Sequence, residues 1–382
     1  MAVAEAAGKK SGPRLLYIDN LRILLICLVI TTHCSITYGG PGGWYFTDPG
    51  NGPVTPFILS VIDALNQSFF MGFFVLVSAY FVPGSLARKG RARFTRDRLV
   101  RLGIPLLFWV LVLNPLLLLI LTLGGATLPL PAATILNPVT GPGLGPMWFV
   151  FFLIVATFSY LLWTGVHPPD PPGDHTTRPF PQFGSIVALG LLLGNVTAVI
   201  RIFLPIGSTW LFNLQLPFFP QYIVLFIIGI YAARNNWFDT IPDRVGKMCT
   251  LAALLLVVVL PVFLYLATNS PAGIGLVRGG LHWQAVLFAC WEQMAGVMII
   301  VAMLRVFSLR FNTQGPVTRA MAGDSYTVYV FHPVVLISLS LVFTGFALPQ
   351  LAKFIIVLPL AICLSFALAH VIRAVPGVKR VL

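Results

Sequence analysis

Apolar residues run through this chain in long unbroken blocks, without the strict alternation of a half-buried strand or the one-sided stripe of a surface helix. Windows of about 20 apolar residues predict ten spans, at 21–38, 57–82, 102–123, 146–164, 184–206, 218–233, 248–268, 283–304, 325–346 and 352–372. Blocks of this length satisfy their own backbone hydrogen bonds in lipid only as helices. The expected fold is therefore all-α, a polytopic membrane protein of ten transmembrane helices. Proline and glycine interrupt the pattern at 124–145 and 165–183, where they forbid long helices, and the second stretch reads as a stiff extended connector.

Composition agrees, with 58% hydrophobic residues, 9% charged residues and a mean hydropathy of +0.91. Charge adds an orientation. With the N-terminus in the cytoplasm, 21 of the 24 Lys and Arg fall on cytoplasmic loops and only Arg201, Arg278 and Lys353 fall outside. Both termini are thus expected in the cytoplasm, in a multi-pass protein of the cell (inner) membrane. This asymmetry accounts for the net charge of +13 without a nucleic-acid partner. Residues 1–13 read as a short cytoplasmic tail, 14–376 as a single membrane domain and 377–382 as a second tail, with the first span a retained anchor. The five cysteines have no C-x-x-C spacing, and no metal is expected. His167 and His175, in the second connector, read as solvated.

The informative positions are the ionisable residues inside the apolar blocks. Arg22 and His33 are eleven residues apart, which places them on one helix face about 16 Å apart along the axis. Asp63 in the second span lies at a depth close to that of His33, Glu292 in the eighth lies deeper, and His332 in the ninth precedes Pro333, which bends the backbone and frees a carbonyl. Ionisable groups at such depth mark partners, ligands or proton chemistry. The structural alternative is that Arg22 snorkels while the others hydrogen-bond between helices. A carboxylate beside His33, Asp63 or Glu292, would hold the imidazole in the tautomer a general base needs. His282 and His370, near span ends, read as interfacial. The run 86–101 carries seven basic residues against Asp97. It reads as a positive-inside anchor and also as a phosphate site, with Arg98 and Arg101 one helical turn apart.

In combination these segments resemble a known family. RLLYIDNLRILLICLVITTHCSI is similar to the opening of the acyltransferase-3 family of integral membrane acyltransferases, whose first helix carries a basic residue, ten others and then histidine, as Arg22 and His33 do. FTRDRLVRLGIPLLF resembles its basic R-x-x-R segment, at Arg98 and Arg101. GPMWFVFFL and SYTVYVFHPVVL resemble later signatures, at Trp148 and Tyr329–His332. The branch most alike is the one that modifies periplasmic glucans.

The resemblance implies an O-acyltransferase that moves an acetyl or succinyl group from cytoplasmic acyl-CoA, acetyl-CoA first among the donors, to a hydroxyl of a glycan, lipid or small-molecule acceptor. Together with the ionisable positions above, it points to His33, Arg22, Asp63, Glu292 and His332 as catalytic residues. Arg98, Arg101, Arg22, Trp148 and Tyr329 would hold the donor, and a helix-bound tryptophan or tyrosine would stabilise the oxyanion. His33 would serve as general base in direct transfer, or carry the acyl group itself. The rival expectation is a transporter or flippase of an amphiphilic envelope precursor, which would also use intramembrane charges.

Overall fold

The computed structural model describes residues 15–48, 50, 52–128, 131–137, 139, 142–167, 177–270 and 273–382. Lys9, Lys10, Arg14 and His175, with the 1–13 tail, lie outside the described residues. Within them, ten helices are long and apolar enough to cross a membrane: α1 (Leu16–Thr37), α2 (Val54–Lys89), α3 (Arg91–Leu123), α4 (Gly143–Val166), α5 (Phe183–Phe203), α6 (Leu216–Asn235), α7 (Asp243–Thr268), α8 (Trp283–Arg310), α9 (Pro316–Thr344) and α10 (Gln350–Ala374). Each matches one block of the hydropathy pattern. Several run further than their apolar stretch. In α9 the helix starts nine residues before the expected span, because Arg319 and Asp324 fit a helix that continues beyond the hydrocarbon.

Successive helices antiparallel to one another give the bundle two ends. At the basic end, Asn20 Nδ2 donates to the carbonyl of Phe311 at 2.7 Å and Tyr17 O–H to that of Phe238 at 3.0 Å. At the far end, the amides of Ile206 and Phe212 donate to the carbonyls of Arg278 and Val139 at 2.8 and 2.7 Å. The α2–α3 junction, with its seven basic residues, belongs to the basic end.

α1 packs among α2, α9 and α10, while α8 packs on α5, α7 and α2. The α5–α8 contact is close because α5 presents glycine: a Cβ at Gly194 would lie 2.6 Å from the Cα of Cys290. Small residues at such crossings let helices meet where lipid supplies no hydrophobic drive between them.

α3 is irregular. It contains two π-helical turns, Leu99–Gly103 and Trp109–Leu113, and each runs into a proline, Pro105 or Pro115. Pro105 has no N–H to offer the Arg101 carbonyl one turn back, and Tyr326 O–H from α9 donates to that carbonyl instead at 3.0 Å.

Candidate active site

A second proline builds the centre of the site by the same rule. Pro333 lies inside α9, so the carbonyl of Tyr329, four residues earlier, lacks its helical donor. The imidazole of His332 takes that place, with Nδ1 2.8 Å from the Tyr329 oxygen. A carbonyl only accepts, so Nδ1 of His332 carries the proton and Nε2 is left as an acceptor. Facing it at 2.9 Å is Nδ1 of His33 from α1, which must therefore donate. The chain of bonds leaves Nε2 of His33 with a free lone pair, the form a general base requires.

The two imidazoles meet edge to edge, 5.1 Å between centroids and 8° between planes. His332 is fully buried, whereas His33 keeps part of its surface open. One face of this flat dyad is covered by the indole of Trp44, 3.9 Å from the His33 centroid and 12° from parallel. Trp44 belongs to the segment between α1 and α2. That segment folds back over the end of α1: Gly40 N–H donates to Ser35 O at 2.9 Å and Asp48 N–H to Thr37 O at 2.7 Å. Gly42 takes φ +153°, and a Cβ there would come within 2.6 Å of the Ile36 side chain. An ion pair of 2.7 Å between Asp48 and Lys353 of α10 fastens the segment. Tyr45, the next residue, is buried edge-on to Trp44 and Trp109, and burial pushes its phenol well above the ordinary tyrosine range.

From the dyad a line of rings leads toward the basic end. Tyr326, Tyr329 and His332 are three residues apart on one face of α9, with centroids separated by 6.5 and 6.2 Å. Tyr329 O–H donates to the carbonyl of Pro146, and Tyr326 reaches the backbone of Arg101. Arg22 stands below His33 on α1, 3.2 Å from Asp19 and 5.2 Å above the Phe81 ring. Arg98 stacks over Phe94 at 5.1 Å, and Arg101 is exposed. The π turn Leu99–Gly103 that begins beside Arg98 is wider than an α turn, so the chain between Arg98 and Arg101 departs from the α-helical spacing expected for them.

The carboxylates expected to orient His33 are engaged elsewhere. Asp63 accepts from Ser35 O–H at 2.8 Å, on the α1 face turned away from His33. Glu292 pairs with Arg201 at 2.6 Å and accepts from Gln293 at 3.1 Å. His332 holds the place assigned to them. Arg201, counted by its position as an outer-loop residue, is wholly buried instead. A lone Arg in one apolar block and a lone Glu in another are the signal that could have paired them. Trp148 stacks on Tyr222 of α6 at 5.5 Å, and Tyr222 O–H accepts from Gln67 at 3.0 Å. His370, near the end of α10, is 3.0 Å from Asp324, which also accepts from Arg373 at 2.7 Å. His282 caps α8 at the far end, and His167 stacks on Trp163 at 4.1 Å.

A sequence model described as an acyltransferase domain matches residues 15–370 of the chain. Among curated proteins, the chain is similar to glucans biosynthesis protein C from Salmonella gallinarum (strain 287/91 / NCTC 13346), 26% identical over 254 residues, which are 63% of this chain and 64% of that protein. It is likewise similar to the proteins of that name from Shigella dysenteriae serotype 1 (strain Sd197) and Escherichia coli O17:K52:H18, each 25% identical over 249 residues, 63% of this chain and 63% of theirs. The chain thus spans just under two thirds of the length of the curated relatives it matches.

Proposed function

The chain belongs to the acyltransferase-3 family, and on that premise we propose that it moves an acetyl or succinyl group from cytoplasmic acyl-CoA to a hydroxyl of an envelope glycan. It is a membrane-bound acyltransferase of the kind that transfers groups other than aminoacyl groups. The single observation that supports this reading best is the tautomer chain from the Tyr329 carbonyl through His332 to His33, which presents a neutral base with an open Nε2 inside an apolar bundle.

In this reading the domain is residues 14–376, with the basic end and both termini in the cytoplasm and the far end outside the inner membrane. Donor phosphates lie against Arg98 and Arg101 with Arg22 nearby, since guanidinium forks match phosphate oxygens. The acyl arm follows the Tyr326–Tyr329 face inward, and the acceptor arrives from the far end. The relatives' name, glucans biosynthesis protein C, supports a glucan-like acceptor. His33 Nε2 takes the proton of the acceptor hydroxyl as its oxygen attacks the thioester carbon. The C–S bond then breaks, and the departing thiolate takes the proton back from the imidazolium. His332, uncharged, keeps the second nitrogen of His33 in place throughout.

The test is release of coenzyme A from radiolabelled acetyl-CoA by the purified full chain, wild type beside His33→Ala, with the label followed into candidate glycans. Loss of a general base lowers turnover by about 10²- to 10⁴-fold. A well-folded His33→Ala protein that keeps most of the wild-type rate refutes the mechanism.

A further inference from the structure

The reaction above develops a negative charge on the thioester oxygen, and that charge needs a donor within the site. The aromatic donors around the dyad are mostly committed. Tyr329 O–H is bonded to Pro146 O, and Trp109 Nε1–H donates to Gly143 O at 3.2 Å. Trp44 Nε1–H differs: it is sealed from solvent and has no hydrogen-bond partner. A buried N–H of that kind costs about 1–3 kcal/mol, so its survival needs an explanation. It belongs to the ring stacked 3.9 Å from the base.

We propose that Trp44 is a catalytic residue whose indole N–H receives the oxyanion of the tetrahedral intermediate. The inference rests on the acyl-transfer reading above. When the acceptor oxygen bonds to the thioester carbon, the C=O electron pair moves onto oxygen, which becomes the anion held by Trp44 Nε1–H. When that pair returns, the C–S bond breaks and the N–H is again without a partner. Nothing is oxidised, and the proton passes only between acceptor, His33 and thiolate.

Such a donor must be fixed in advance, or its ordering would cancel the gain. The segment that carries it has the required anchors: backbone bonds from Gly40 to Ser35 and from Asp48 to Thr37, the ion pair with Lys353, and Tyr45 wedged at Gly145. Gly145 holds φ +44°, and a Cβ there would collide with the Tyr45 hydroxyl and lie 2.8 Å from the Trp109 ring. The stack also suits the other charge of the reaction, because an indole face attracts the imidazolium that forms beneath it.

Two replacements separate the N–H from the ring. Trp44→Phe keeps an aromatic face, and benzothienylalanine at position 44, introduced by codon suppression, keeps the shape with sulfur in place of N–H. Steady-state rates are measured with acetyl-CoA on the full chain in lipid nanodiscs, beside wild type and His33→Ala. Both variants are expected to lose about 10²- to 10³-fold in kcat, with the donor KM within about threefold of wild type and the melting temperature unchanged for the sulfur isostere. A benzothienylalanine protein that turns over within about threefold of wild type overturns the proposal and leaves the His33 mechanism standing. So does a change confined to KM, which would assign Trp44 to substrate binding that is equal in ground and transition states. Absence of turnover in wild type with any acyl-CoA removes the functional reading and this proposal together.

Discussion

Replacing His332 by phenylalanine isolates what the second imidazole contributes. Phenylalanine preserves a flat ring in the fully buried slot on α9 while removing the nitrogen that accepts from His33 Nδ1 at 2.9 Å. Two effects follow at His33. Its proton is no longer confined to Nδ1, so the fraction with a free Nε2 falls, and the imidazolium formed during transfer loses a charge-assisted hydrogen bond. Such a bond is worth about 1.5–3 kcal/mol, and each 1.36 kcal/mol is tenfold in rate, so kcat should drop roughly 10- to 150-fold. The donor KM should hold, because Arg98 and Arg101 are on α3 and untouched. His332→Gln sharpens the test: its amide oxygen can accept from His33 Nδ1 and should recover part of the loss. Initial rates of coenzyme A release at saturating donor measure both. A His332→Phe protein within twofold of wild type, or a glutamine variant slower than phenylalanine, refutes the tautomer argument.

Pro333→Ala restores an N–H to the Tyr329 carbonyl, so it should stiffen α9, raise the melting temperature, and lower kcat by competing with His332 for its acceptor; a rise in both quantities would contradict this. Arg98→Ala with Arg101→Ala should raise the donor KM at least tenfold with little change in kcat, and donor titrations that match wild type remove the phosphate site. At the buried pair, Arg201→Met alone should destabilise the protein by about 3–5 kcal/mol by stranding Glu292, whereas Arg201→Met with Glu292→Leu should recover much of it. Thermal unfolding in detergent compares the two, and equal losses would mean that the pair carries no stranded charge.

All ten helices were legible as apolar blocks, because in lipid the backbone rule leaves a long hydrophobic run few alternatives. Their ends were less so, since polar residues continue a helix once it leaves the hydrocarbon, as at the start of α9. The site was legible one helix at a time. Periodicity put Arg22 and His33 on one face, and the His-Pro pair marked a freed carbonyl. What period and depth do not encode is which helices are neighbours. Asp63, at a depth close to that of His33, looked a suitable partner, yet it faces Ser35, while His332 on α9 meets His33. From the sequence, Trp44 reads as an outer-facing aromatic that stacks on a sugar or joins an interfacial belt; its place over His33 was hidden, because it depends on the chain turning back over α1. The wide turn at Leu99–Gly103 was hidden too, although Pro105 within that helix was its signal.

In the proposed mechanism, a base aligned by a second imidazole and a backbone carbonyl has no formal charge in the waiting state. With a carboxylate in the place of His332, a fixed anion would stand at the base, where the proposed acyl-CoA donor, a polyanion, would have to approach. The His33–His332 pair avoids that standing repulsion. Apart from the neutralised Arg201–Glu292 pair, charge gathers among the basic residues of the α2–α3 junction, and in the proposed mechanism it appears at the dyad only while a proton is in transit. Between turnovers the dyad itself would carry no charge, which lets an acid-base catalyst remain immersed in a medium of low dielectric constant.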